Sequence, residues 1–476
     1  MKLLTVMIGV VRTATTFVPT KKPNQLTQHA LNSRSMNSTP RTTAHPHTIP
    51  NRHPPGLRIL FFAEMWERFS YYGMRALLVL YLVNALGYAR ADALQVYATY
   101  TGLVYITPIL GGFLADRWLG CRRAVFIGGA IMALGHFAMA VPSLLPSLLP
   151  SLLYPGLALL IIGNGFFKPN ISTMVGRLYE EQDPRRDGGY TIFYMGINLG
   201  GFLAPLVCGY LGEEHGWHYG FAAAGVGMVL GLITFWYGQH RLGSVGLPPR
   251  RRDHTAPPPT PLSASDRRNL LALAIMGFFI VFFWMGFEQA GGTMNLFADQ
   301  QTDRHLLGWE IPASYFQSIN PLAIILFAPL FSYLWTRIDR SGYALSPVVK
   351  QAIGMIILGL GFVVLAIAQE RAQQFGQVGP GWLIAVYFLH TMGELCLSPI
   401  GLSMVSTLAP QRMTSLCMGL WFTAIAIANY LAGTLESLLQ HTGISLFWFL
   451  VSSSIGAGLL LWLISPLLQR LMTKKP

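Results

Sequence analysis

Hydrophobic residues fall in long runs along most of the chain, near 57–86, 92–115, 122–142, 154–178, 188–212, 217–239, 270–297, 313–337, 347–369, 381–408, 413–436 and 444–468. About 20 helical residues cross roughly 30 Å of hydrocarbon, so the pattern predicts twelve membrane-spanning helices. The first run breaks its own pattern. Glu64, Glu67, Arg68, Tyr71, Tyr72 and Arg75 fall at i, i+3, i+4, i+7, i+8 and i+11, a single stripe on a 3.6-residue period. An ionisable side chain at mid-bilayer costs about 2.5–3.5 kcal/mol on insertion scales, so this stripe should line a wet cavity or meet partners from other helices.

Further polar residues interrupt later runs. The fourth contains Gly163-Asn164-Gly165-Phe166-Phe167-Lys168-Pro169-Asn170, where Pro169 should bend or loosen the helix beside Lys168. No acid lies in the apolar part of that helix, so the partner of Lys168 must come from another. The fifth run carries Gly196 and Gly200, which suit close packing, and Asn198, an amide fit for a helix-to-helix hydrogen bond or for a ligand. Glu288 follows in the seventh, Asn320-Pro321 in the eighth and Gly393-Glu394-Leu395 in the tenth. Glu288 and Arg75 lie at similar depth, as do Lys168 and Glu394, so two pairs, Arg75–Glu288 and Lys168–Glu394, are expected across the chain's two halves.

Composition supports a polytopic membrane protein: 52% of residues are hydrophobic and 11% charged, against about 25% charged in an ordinary soluble domain. The net charge of +13 would suit nucleic acid if it were clustered on a folded surface. Instead, with a cytoplasmic N-terminus, 27 of the 33 Lys and Arg lie in cytoplasmic segments. Arg90, Arg304 and Arg371 fall outside, and Arg68, Arg75 and Lys168 within the spans. That asymmetry predicts both termini in the cytoplasm and needs no nucleic acid. Residues 1–56, rich in Thr, Pro, Asn and His, are expected to be a disordered basic tail, or to precede the true start of translation. The tail's His45, His47 and His53 are not read as a metal site. Three copies of Pro-Ser-Leu-Leu from Pro142 read as a slipped repeat. Cys121, Cys208, Cys396 and Cys417 suggest no disulfide framework.

The segment Gly111–Arg123 resembles the loop signature of the major facilitator superfamily. Glu64-x-x-Glu67-Arg68-Phe69, Phe193-Tyr194-x-x-Ile197-Asn198-x-Gly200, Phe287-Glu288-Gln289 and Gly393-Glu394-Leu395 together resemble that superfamily's proton-dependent oligopeptide transporter family, over about residues 57–470. The resemblance implies an all-α fold of twelve transmembrane helices in two six-helix halves. The expected division is 57–240 and 270–470, joined by a cytoplasmic linker at 241–269 and followed by a short tail at 471–476. It implies proton-coupled import of di- and tripeptides by alternating access, by a monomer without cofactor in the inner cell membrane.

By the same resemblance, Glu64, Glu67, Arg68 and Glu288 serve proton coupling, and the two interhalf pairs change during transport. The peptide amino group is expected near Glu394, Asn198 and Asn320, its carboxylate near Arg75 and Lys168, and its side chains near Tyr71, Tyr72 and Trp421. Many bacterial relatives insert two extra helices between the halves, for which Arg241–Arg268 is too short and polar. No helix-two histidine corresponds to that of the animal members; His136 and His390 read as packing residues, although His390 lies one turn from Glu394.

The charges alone suggest the same mechanism. Four acids (Glu64, Glu67, Glu288, Glu394) face three bases (Arg68, Arg75, Lys168), so one proton neutralises the set, and a freed base can then hold a substrate carboxylate. A nitrate or drug transporter of the same fold is the alternative, although it would not need both signs. No nucleophile or metal-ligand cluster supports an enzyme.

Overall fold

The computed structural model describes residues 52–141, 149–180, 183–248, 262–306, 308–342, 345–410 and 413–472. Most of the N-terminal tail, the Pro-Ser-Leu-Leu copies up to 148, the Arg250–Arg252 cluster and the last four residues lie outside these. The described chain is almost wholly helical. Its long helices are α1 (Gly56–Leu80), α2 (Arg90–Leu114), α3 (Cys121–Ala140), α4 (Leu149–Arg177), α5 (Arg186–Ala204), α6 (Trp217–Gly238), α7 (Ala264–Phe287), α8 (Ile319–Arg340), α9 (Pro347–Phe375), α10 (Gly381–Leu408), α11 (Thr414–Leu439) and α12 (Leu446–Leu471). Eleven are long and apolar enough to cross a membrane. The remaining one is α1, whose 25 residues give a length of about 37 Å at 1.5 Å per residue; only its charged stripe sets it apart.

Local chemistry explains several boundaries. A reciprocal capping box starts α7, with Asp266 N donating to Ser263 Oγ and Ser263 N to Asp266 Oδ2, both at 3.1 Å. Ser346 caps α9 ahead of Pro347 at the first position. Helix α4 runs as one α-helix across Pro169, where Asn170 Nδ2 donates to Phe166 O at 2.8 Å. One element differs from expectation. The seventh span, expected to be continuous, gives way after Phe287 to a 3-10 turn, Glu288–Gly291, and resumes as the short helix Thr293–Gln301. A close approach fixes glycine at the end of this turn: a Cβ on Gly291 would lie 2.0 Å from Tyr97 Oη and 2.9 Å from Arg75 Nε. After the break, the connection to α8 carries a small hairpin, β1 (His305–Leu306) and β2 (Trp309–Glu310), which hydrophobic patterning does not reveal.

The helices form two bundles. In the first, α1 packs on α5 and α6, α3 on α4 and α6, and α2 on α4; in the second, α9 packs on α10 and α12, while α7 meets α11 and α12. Glycine permits a close crossing of α2 on α4, where a Cβ on Gly111 would come within 2.1 Å of Gly165 O. Between the bundles, α2 packs on α11 and α5 on α8, with the short helix Thr293–Gln301 against α1. Large apolar side chains such as Leu110, Leu134, Leu420 and Leu463 are exposed, each by more than 60%. So much exposed aliphatic surface suits lipid and would be a liability in water.

Candidate functional site

The polar stripe of α1 is the centre of the site, and nearly all of it is buried. Arg68 makes a two-pronged contact with its neighbour: Nε donates to Glu67 Oε2 at 2.5 Å and Nη2 to Glu67 Oε1 at 2.6 Å. Its Nε also lies 3.3 Å from Glu64 Oε1. The guanidinium sits over Tyr71, 5.0 Å from the ring centroid, and 5.9 Å from that of Tyr72. From α4, Asn164 Nδ2 donates to Glu67 Oε1 at 3.0 Å. Two turns along α1, Arg75 Nη2 donates to Glu288 Oε2 at 2.5 Å, and its Nε donates to Tyr97 Oη at 2.7 Å. This ion pair joins the two bundles, with Glu288 at the start of the 3-10 turn 288–291.

The second bundle contributes Asn320 and Glu394. Asn320 Nδ2 donates to Glu394 Oε2 at 2.8 Å and to Thr391 Oγ1 at 3.0 Å. Tyr72 lies within the fields of Arg68 and Arg75 from its own helix and of Glu288 and Glu394 from the other bundle, so charges of both signs converge on it. Trp421 is buried and packs so closely on α10 that a Cβ on Gly401 would meet its Cζ2 at 2.7 Å. Asn198 spends its amide on its own helix, donating to Tyr194 O at 3.0 Å.

Depth alone predicted a contact between Lys168 and Glu394, and the structure departs from this. Among the described residues no ion pair joins them. Lys168 Nζ instead rests 4.6 Å from the ring centroid of Tyr105 on α2, while Glu394 is held by Asn320. The physical reason is where the bundles touch. On the face opposite the termini, Arg90 bonds Glu436, Asn84 Nδ2 donates to Asp299 Oδ2 at 3.0 Å, and Glu213 accepts from the N–H groups of Ala313 at 2.7 Å and Ser314 at 3.0 Å. On the terminus-bearing face, Arg122 bonds Val245 O and Gly243 O, Arg177 bonds Asp116 and Lys350 bonds Asp339, each within one bundle. Lys168 and Glu394 lie well along their helices from the cross-bundle bonds.

Sequence reasoning did not identify Tyr97, Tyr105, Asn164 or Thr391 as partners. A signal existed on α2, where Tyr97, Tyr100 and Tyr105 follow helical spacing, and on α4, where Asn164 is one turn before Lys168. Neither histidine joins the charged set. His136 Nε2 and Ser70 Oγ lie 2.6 Å apart, tying α3 to α1. His390 packs on Phe362 with ring centroids 4.6 Å apart.

The sequence profile of the POT family matches residues 122–249 and 260–449. The chain is 36% identical to the peptide transporter YePEPT of Yersinia enterocolitica over 88% of its own length and 95% of that protein's. It is 31% identical to the di-/tripeptide transporter of Lactococcus lactis subsp. cremoris, covering 88% of this chain and 96% of that one. A crystal structure of a peptide transporter POT in complex with sulfate superposes with a TM-score of 0.80 at 34% identity, over 89% of this chain and 98% of that one. The architecture is therefore that of the major facilitator superfamily, twelve transmembrane helices in two six-helix halves, and the chain belongs to the POT family.

Proposed function

We propose that this protein is a proton-coupled symporter that imports di- and tripeptides by alternating access. The observation that carries the reading is the placing of opposite signs on the two bundles: Arg75, paired with Glu288, and Lys168 on the first, and Glu394, held by Asn320, on the second, with charges of both bundles acting on Tyr72. A zwitterionic peptide needs a base at one end and an acid at the other, and buried charges of this kind are costly unless a ligand or partner uses them. Membership of the POT family and the names of its peptide-transporting relatives support the substrate class.

In this reading Glu64, Glu67, Arg68 and Glu288 handle the proton. The peptide carboxylate is held by Arg75 and Lys168, the amino group by Glu394, Asn198 and Asn320, and the side chains by Tyr71, Tyr72 and Trp421. Protonation within the α1 set releases a base from its carboxylate, and the released base accepts the peptide. In this reading the face opposite the termini, where Arg90 bonds Glu436 and Asn84 bonds Asp299, is the outer one, and the arrangement is the one with access from the cytoplasm. Closure of the terminus-bearing face would bring Lys168 to Glu394 and open the Arg75–Glu288 side, with each half moving largely as a unit. The units are 57–240 and 270–470, linked through 241–269, in a monomer with both termini cytoplasmic in the inner membrane. Residues 1–56 and 471–476 flank them as tails.

Counterflow in liposomes tests the substrate class. Liposomes loaded with unlabelled dialanine should take up labelled dialanine, with competition from tripeptides and none from nitrate. Competition by nitrate, without competition by tripeptides, would move the protein to another substrate class of the same fold.

A further inference from the structure

Glu64 and Glu67 lie one turn apart beside a single Arg68, and the structure treats them differently. Glu67 is fully engaged. Its Oε2 accepts from Arg68 Nε, and its Oε1 from both Arg68 Nη2 at 2.6 Å and Asn164 Nδ2 at 3.0 Å. Glu64 keeps only the longer contact of Oε1 with Arg68 Nε at 3.3 Å. Its Oε2 is buried without a hydrogen-bond partner, alone in this among the carboxylate oxygens of the described residues. Hydrogen bonds to a carboxylate favour the charged form, and burial without them favours the neutral one.

We infer that Glu64, rather than Glu67, receives the coupling proton, and that Asn164 is the positioning residue that makes the choice. The assignment rests on the proposed proton coupling but concerns only which atom carries the proton: it goes to Glu64 Oε2, and Glu67 remains the ionised partner of Arg68. Asn164 is suited to this role because it is wholly buried on α4 and aims its amide N–H at Glu67. Its own Oδ1 has no partner, so the residue makes this one side-chain bond at the expense of an unsatisfied acceptor, a cost that packing alone does not explain.

The charged groups whose fields reach Glu64 are Arg68 and Glu67 on α1 and Lys168 on α4. The same Lys168 also feels Glu288 from the second bundle. From α2, Tyr100 faces Glu67 and Arg68. From α3, His136 is engaged with Ser70. Helix α6 carries no Asp, Glu, Lys or Arg, and α5 has only Arg186 and Asp187, at its start. Neither brings a competing charge to this level.

Infrared difference spectroscopy of the purified protein, titrated in pH, tests the assignment without requiring transport. A titrating carboxylic-acid C=O band should change frequency in Glu64→Asp and keep it in Glu67→Asp, since both variants preserve charge and only the protonated group absorbs there. Asn164→Leu removes the bond that holds Glu67 ionised, so in that background the band should change in Glu67→Asp as well. Asn164→Thr, which retains a donor, should restore a band that only Glu64→Asp changes. A band that moves in Glu67→Asp, or in neither variant, overturns the assignment to Glu64. An Asn164→Leu background in which Glu67→Asp still leaves the band unchanged overturns the role of Asn164. If dialanine were not transported at all, the function proposed above would fail while this measurement would still read out.

Discussion

The two faces of this protein are built from similar materials and behave differently. On the face opposite the termini, side chains and backbone cross between the bundles. Arg90 bonds Glu436, with Gln300 3.2 Å from the same arginine, and Glu213 holds the N–H groups that open the 3-10 turn Ala313–Ser318. On the terminus-bearing face the same residue types bond within their own bundle, as Arg122 does with the 243–245 turn and Lys350 with Asp339. Helices, charges and glycines are present on both sides, so composition does not account for the asymmetry. It lies in which side chains reach across, and the charged stripe of α1 reaches the cross-bundle set through Arg75 and Glu288.

The largest effect is expected at the buried pair that crosses between the bundles. Arg75→Ala or Glu288→Ala alone should cost about 3–5 kcal/mol, because each leaves an uncompensated buried charge. The double variant should cost less than the sum of the two. A double-mutant cycle on thermal unfolding in detergent measures this; strict additivity would mean that the 2.5 Å contact is not energetically coupled.

Next comes Lys168, which in this arrangement has a ring beneath it in place of a carboxylate. A cation–π contact is worth roughly 0.5–2 kcal/mol, so Lys168→Ala should change stability little while lowering dipeptide uptake at least tenfold. Loss of stability on the scale of the Arg75 variants would show that Lys168 is paired in the resting protein. The partly exposed Arg90–Glu436 pair sharpens the comparison at its edge. Such pairs contribute about 0–1 kcal/mol. Glu436→Gln should therefore shift the balance between the two access states by no more than about fivefold, read as labelling of single cysteines placed on either face.

The smallest effect concerns the approach to α1. His53 Nδ1 lies 2.9 Å from Tyr179 Oη, and Arg185 Nη1 donates to Arg52 O at 2.6 Å. Partial burial, and then the nearby Arg185, hold the His53 imidazole below its ordinary value. Folding here favours neutral His53, so its contribution is fully present above about pH 6.5. It declines as the pH falls from there through the lowered value. Amide exchange at Arg52, His53 and Gly56, relative to the intrinsic rate at each pH, should be modestly less protected over that range in wild type and lose the dependence in His53→Phe.

How much could be read in advance also divides along physical lines. The spans were legible because an apolar run of fixed length is what a bilayer demands, and the α1 stripe because helical period alone aligns Glu64 through Arg75. The break in the seventh span was less so. Gly291-Gly292 marks it, but what fixes glycine there is the approach of Tyr97 and Arg75 from the other bundle, which periodicity does not encode. Partners such as Asn164 and Tyr105 depend on how helices are rotated about their axes. Lys168 and Glu394 were matched by depth, yet depth says nothing about which access state brings two helices together.

The central claim is that peptide and proton move together through the stripe on α1. The most direct measurement is the internal pH of liposomes containing the protein and a pH-sensitive dye, with dialanine added outside at equal starting pH and the membrane potential clamped. Coupling predicts acidification of the interior on dialanine addition, lost in Glu64→Gln and absent with nitrate. Dialanine entering at the wild-type rate with no change in internal pH would contradict the account.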